Sequence, residues 1–202
     1  DALPIYMKAL LAGLGIFLLT TATAHALQCG DTVTGYQALT ADLSCPNRTF
    51  ALKIASNSTL ECNQHIISGN MSPGSVGVDV GSSSNVIINS CKITGFRDSG
   101  VRAQGPSNSL RSDNVAISNS KIYNNATGLK TTYVNNPKVY DTEFTGNSNG
   151  INYQESTGPL TWNAYIHHNT NNGYRCYNCY GYWNGGYVMV WNFNTHLDEY
   201  IT

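Results

Sequence analysis

The 202-residue sequence predicts an all-β fold, a parallel β-helix (β-solenoid) of about five coils. Three observations carry that reading. Gly followed by an apolar residue recurs at Gly77-Val78, Gly100-Val101, Gly128-Leu129, Gly150-Ile151 and Gly173-Tyr174, in steps of 23, 28, 22 and 23 residues, and a period of roughly 20 to 50 residues marks a repeat architecture. In register between these marks, NVIINSCKI at 85–93, NVAISNSKI at 114–122, NPKVYDTEF at 136–144 and GPLTWNAYI at 158–166 each hold two short segments of alternating polarity, the period of a half-buried strand. Finally, 80 of the 202 residues are Asn, Gly, Ser or Thr, a turn-forming composition that disfavours long helices.

In chain order, residues 1–26 read as an address. Met7-Lys8 is a short positive start, 9–19 is apolar, and Ala24-His25-Ala26 fits the small-x-small cleavage rule of a secretory signal peptide. The apolar run is too short for an ordinary membrane span, so the membrane is expected to matter only through this cleaved leader. Asp1 to Tyr6 stand upstream of the plausible initiator Met7, and the mature chain is expected to start at Leu27. The full chain, with 41% hydrophobic residues, 11% charged residues and a net charge of −1, has enough apolar material for one core. It lacks the positive field that nucleic-acid binding uses, so no nucleic acid is expected as a partner. The oligomeric state is not legible.

The expected divisions are an N-terminal cap over 27–57, coils over 58–175 and an irregular C-terminal cap over 176–202. Alternation places Ile88, Ile117, Val139 and Thr161 in one inward column and Ile93, Ile122, Phe144 and Ile166 in the next. Asn124-Asn125, Asn147 and Asn169 fall at the following corner, where Asn tolerates left-handed backbone and stacked amides bond along the axis. The five-residue excess between Gly100 and Gly128 is assigned to a protruding loop at 105–113. Of 21 aromatic residues, eleven lie between Trp162 and Tyr200. Those rings either seal the open end of the solenoid or stack on sugars, with Tyr177, Tyr180, Tyr182 and Trp183 as the stacking set. An exported chain meets an oxidising compartment, so disulfides are the default for its six cysteines. The partners of Cys62 and Cys91 stay open, and Cys176-Tyr-Asn-Cys179 is either a disulfide or a pair of core thiols.

The N-terminal segment carries a resemblance. Cys29-Gly-Asp-Thr-Val, the L-T-A-D-L-S-C-P run ending at Pro46, and LECNQHIISG at 60–69 are similar to the C-G-D-T-I, L-x-x-D-L-x-C and L-D-L-N-G-H-x-I-S-G pattern of right-handed parallel β-helix repeat proteins of the pectate-lyase-like superfamily, including NosD-like periplasmic members. Gln64 stands where that pattern has Gly, and Cys62 where it has Leu. The resemblance implies a right-handed coil, a Cys29–Cys45 disulfide across the cap, and polysaccharide as the commonest ligand class. It does not decide activity, because the superfamily holds lyases, hydrolases, epimerases, adhesins and non-catalytic proteins.

Whatever chemistry exists lies on outward columns. If the residue after each marker Gly points inward, the next points out, which reads Asp79, Arg102, Lys130, Asn152 and Arg175, with Gly81, Gln104, Thr132, Gln154 and Tyr177 two residues further on. Four steps span roughly 19 Å at the strand spacing. Such a strip suits a polysaccharide, acidic ones included. Arg102 and Lys130 are its adjacent cationic pair: in an elimination, Arg102 would clamp a uronate carboxylate and Lys130, crowded by cations, would be the base. Solvent-facing strand positions are also filled with polar residues for solubility alone. The neighbouring outward row reads Lys92, Lys121, Glu143 and Tyr165. His167 and His168, as adjacent strand residues, should face opposite ways, and no third ligand has a fitting spacing. No metal or other cofactor is therefore expected.

Overall fold

The computed structural model describes residues 26–180 and three further strands within 183–200. Of the expected leader over 1–26, residues 1–25 lie outside the described residues. Among those residues no helix is long and apolar enough to cross a membrane.

The chain winds through three parallel sheets. The first turn is β1 (Thr32–Val33), β2 (Tyr36–Ala38) and β3 (Leu43–Ser44); the second is β4 (Phe50–Ile54), β5 (Thr59–Glu61) and β6 (Ile66–Ser68). Then come β7 (Val76–Gly81), β8 (Val86–Asn89) and β9 (Lys92–Thr94), followed by β10 (Ser99–Gln104), β11 (Ser112–Asp113), β12 (Val115–Ser118) and β13 (Lys121–Tyr123). The fifth turn holds β14 (Thr127–Thr132), β15 (Val134–Asn135), β16 (Lys138–Tyr140) and β17 (Glu143–Thr145); the sixth holds β18 (Asn149–Gln154), β19 (Leu160–Trp162) and β20 (Tyr165–His167). The last is β21 (Asn172–Tyr177), β22 (Trp183–Gly185) and β23 (Met189–Asn192), with β24 (Leu197–Tyr200) antiparallel to β23.

Sheet A stacks β1, β4, β7, β10, β14, β18 and β21; sheet B stacks β2, β5, β8, β12, β16, β19 and β22; sheet C runs from β3 through β6, β9, β13, β17 and β20 to β23 and β24. The coils read from the repeat are the rungs from β5 to β21. The same sheets extend one turn before them and continue after them, since β1, β2 and β3 pair with β4, β5 and β6.

The core is built of columns. Ile88, Ile117, Val139 and Thr161 are successive partners in sheet B, and Ile93, Ile122, Phe144 and Ile166 in sheet C, all fully buried. In sheet A the inward column is Leu52, Val78, Val101, Leu129 and Ile151. The marker glycines have a steric cause. A Cβ on Gly128 would sit 2.5 Å from the Gly150 carbonyl oxygen and 2.7 Å from the Phe144 ring, so the repeat keeps Gly where one rung's backbone rests on the next.

Left-handed residues turn the corners. Between sheets C and A these are Gly95, Asn124, Gly146 and His168, with φ of 80°, 53°, 65° and 51°. The residue after each points inward: Phe96, then Asn125, Asn147 and Asn169, whose amides bond from rung to rung. Between B and C, Cys91, Ser120 and Thr142 form a second buried column in which each backbone N–H donates to the next hydroxyl.

All six cysteines are paired as Cys29–Cys45, Cys62–Cys91 and Cys176–Cys179. The first is the bridge that the resemblance implied. The second explains why Cys62 replaces Leu: its side chain is fully buried in the core and ties the second turn to the third. The third resolves the C-x-x-C pair as a disulfide. Gln64, in place of Gly, has the left-handed φ of 66° that a Gly there would supply.

Candidate functional site: the outer face of sheet A

Pairing register sets the outward column of sheet A: Lys53, Asp79, Arg102, Lys130, Asn152 and Arg175 are successive partners. Sequence reading found the last five. Lys53 escaped it because the marker Gly of the repeat is absent from the second turn, where Ala51 precedes Leu52. The neighbouring column runs Gln104, Thr132, Gln154 and Tyr177. Its expected first member does not fit. The register between β7 and β10 shifts after Arg102, which sets Gly81 beside Ala103 rather than Gln104; Gly81, at φ 54°, already turns out of the strand.

The charges on this face are arranged in alternation. Arg102 donates to both carboxylate oxygens of Asp79, from Nε at 3.1 Å and from Nη2 at 3.0 Å, and reaches Asp98 from Nη1 at 3.2 Å. Lys130 Nζ donates to the other oxygen of Asp98 at 2.9 Å. The Asp79 hydrogen bonds raise the Arg102 guanidinium above its ordinary value against the opposing effect of burial. Asp98 belongs to neither outward column. It stands four residues before Arg102 on the approach to β10, and that offset hid it from a reading confined to strand positions. Its consequence is chemical: Arg102 and Lys130 lie side by side as expected, but a carboxylate stands between them, so the uncompensated crowding of cations invoked for a base is not present.

Toward β21 the face changes character. Asn152 and Gln154 are half-buried amides, and Arg175 and Tyr177 are exposed, the guanidinium 6.0 Å from the centroid of the Tyr177 ring. Tyr177 lies inside the Cys176–Cys179 disulfide loop, whose Asn178 has a φ of 52°. This tight cross-linked turn fixes the backbone that carries the ring at the end of the strip. Tyr180 and Trp162 are also exposed, at 67% and 46%; the side chains of Tyr182 and Trp183 lie outside the described residues.

The 105–113 loop leaves the corner between sheets A and B, with Pro106, Asn108, Ser109 and Leu110 exposed. Together with Ser82 and Asn135 it borders an open cleft of about 490 Å³. On sheet C, Lys121 donates to Glu143 at 3.0 Å across one rung, the ordinary pair expected from register. Burial pushes the Glu143 carboxyl up, but the hydrogen bonds from Lys121 and His167 outweigh it and hold the group below its usual value. The expectation for His167 and His168 is corrected. The left-handed φ of His168 breaks strand alternation, and the two rings meet edge to face with centroids 4.8 Å apart.

Residues 49–186 match the family described as right handed beta helix region. No curated protein and no solved structure gives a significant match.

Proposed function

The chain belongs to the right-handed β-helix family, and from that premise we propose that it is an exported polysaccharide-binding module whose ligand lies along the outer face of sheet A. The observation that carries this reading is the set at the β18–β21 end, where Asn152 and Gln154 offer half-buried amides, Arg175 an exposed cation and Tyr177 an exposed flat ring, on two adjacent rungs. Amides satisfy sugar hydroxyls, the ring stacks on the apolar face of a pyranose, and the guanidinium binds a uronate carboxylate with two parallel hydrogen bonds. The Cys176–Cys179 cross-link lowers the ordering cost of the Tyr177 contact, since a backbone already constrained loses less freedom on binding. Gln104 and Thr132 continue the hydrogen-bonding row, and Asp79 orients Arg102 beneath it. The three disulfides fit an oxidising environment, which is consistent with export to the periplasm or the extracellular space by the N-terminal leader.

Elimination is the second reading, favoured by the adjacency of Arg102 and Lys130 on neighbouring rungs. One experiment separates the two. Migration of the protein is measured in native gels containing polygalacturonate, alginate or a neutral glucan, and the same polymers are monitored for the ultraviolet absorbance of unsaturated uronates. Binding predicts retardation by a uronate polymer that is lost in Tyr177→Ala and Arg175→Ala and kept in Lys130→Ala, with no absorbance change. Unsaturated product that disappears in Lys130→Ala establishes the lyase instead. Migration of parent and variants that is indifferent to every polymer overturns the site.

A further inference from the structure

One corner before β21 in the chain, the outer face of sheet C carries a cluster that polysaccharide binding does not use. Glu143 on β17 and His167 on β20 are joined by a 2.9 Å hydrogen bond between Oε1 and Nε2. Lys121 on β13 holds the same carboxylate at 3.0 Å. The imidazole of His167, whose side chain is 13% exposed, stacks on Tyr165 with centroids 4.0 Å apart and planes 25° from parallel. The ring is thus fixed in position and in tautomer: donation from Nε2–H to a carboxylate leaves the Nδ1 lone pair facing outward. The residue that follows would normally point away from it. Because His168 instead takes a φ of 51° at the corner, its Nδ1 comes to 2.5 Å from that of His167. Thr145 Oγ1 lies 3.4 Å from the same His167 nitrogen.

The corner torsion thus brings both Nδ1 atoms together, the arrangement that a two-nitrogen chelate needs. We propose that His167 and His168 form a surface chelate, through their Nδ1 atoms, for a late first-row divalent metal such as Cu²⁺, Ni²⁺ or Zn²⁺. The donor set selects the class. Imidazole suits these ions, whereas Ca²⁺ and Mg²⁺ require oxygen cages. A carboxylate accepting the distal N–H is the arrangement that orients metal-bound histidines and raises their basicity. Metal–nitrogen bonds of about 2.0–2.1 Å require the two atoms to part to about 3 Å. His168, exposed at its corner, opens by rotating its side chain while Glu143 and Tyr165 keep His167 in place. No group of three or more His, Cys, Asp or Glu side chains converges as a metal-ligand set among the described residues. The site is therefore an open one, with its remaining positions left to water or to an exogenous ligand.

The test uses the disulfide-intact chain freed of any affinity tag, titrated with CuCl₂ or ZnCl₂ against a chromogenic chelator, with electron paramagnetic resonance of the Cu²⁺ form. The expected result is one equivalent of metal and nitrogen coupling from two imidazoles. Affinity should fall at least tenfold in His168→Ala and about 10- to 100-fold in Glu143→Gln, and should be unchanged in His65→Ala. Far-UV circular dichroism establishes that each variant is folded; His168→Ala, at an exposed corner, leaves the core untouched. The proposal is overturned if the parent fails to compete with the chelator, if His168→Ala binds as the parent does, or if the Cu²⁺ spectrum lacks nitrogen coupling.

Discussion

Asn147 sits at the centre of the buried amide ladder, and replacing it with Ala measures what that ladder contributes. Its Oδ1 accepts from the Asn125 backbone N–H at 2.9 Å and from Asn125 Nδ2 at 3.2 Å; its Nδ2 donates to the Ile122 carbonyl at 3.0 Å and to Asn169 Oδ1 at 3.2 Å. After truncation the Asn125 N–H, in a residue 3% exposed, has lost this acceptor. An orphaned buried donor costs about 1–3 kcal/mol, and each of the two lost Nδ2 bonds about 0.5–1.5 kcal/mol. Asn125 Nδ2 keeps bonds to the Ile93 and Tyr123 carbonyls, and Asn169 Oδ1 keeps the Asn147 backbone N–H, so neither adds a full orphan penalty. The expected loss is about 2–6 kcal/mol, a large fraction of the ~5–15 kcal/mol by which domains are stable. Equilibrium urea unfolding with the disulfides intact reads it as a lower midpoint at unchanged slope. Asn171→Ala is the control, since Asn171 makes only an exposed side-chain bond to Asn149 and should change stability by less than about 0.5 kcal/mol. A loss below about 1 kcal/mol for Asn147→Ala would refute the reasoning, because water or a backbone shift would then be satisfying the Asn125 donor.

Three further outcomes are expected. Gly128→Ala places a Cβ against the Gly150 carbonyl and the Phe144 ring and should cost about 1–3 kcal/mol by overpacking, whereas Gly74→Ala, with φ +70° and nothing within 4 Å of the new Cβ, should show only the left-handed backbone penalty of about 1 kcal/mol; thermal denaturation ranks them. Removing the Cys62–Cys91 bridge, which spans a separation of 29 residues, should cost about 3.5 kcal/mol by the loop-entropy relation, against about 2 kcal/mol for Cys176–Cys179, and paired Cys→Ala variants in urea would reverse that order if loop length were not the controlling factor. Burial pushes the Glu61 carboxyl up, yet its bonds from Asn89 and the Asn63 backbone leave it below the ordinary 4.5; its contribution is therefore complete above that value and lost as pH falls through the lowered folded one, so the melting-temperature gap between parent and Glu61→Gln should close in acid, and a gap that widens would contradict the assignment.

The coils and their inward columns were legible in the sequence because a solenoid's long-range contacts join equivalent positions of successive repeats. Ile88, Ile117 and Val139 stack for the same reason that they align, and the outward column from Asp79 to Arg175 follows from the same arithmetic. The corner asparagines were legible too, although only the structure divides their labour: Asn124 supplies left-handed backbone and Asn125 the buried amide.

Departures from the repeat were decided by tertiary structure. Asp98 neutralises Arg102 and Lys130 from a turn outside both columns, a matter of side-chain reach rather than of register. Gly81 leaves its column by a one-residue register shift, Cys62 finds Cys91 across a corner, and His168 swings back onto His167 through a single left-handed φ. Periodicity carries which residues share a rung and a face, because strand geometry repeats every two residues and coil geometry every turn. Which side chains then touch depends on corner torsions and reach, and these belong to the folded chain.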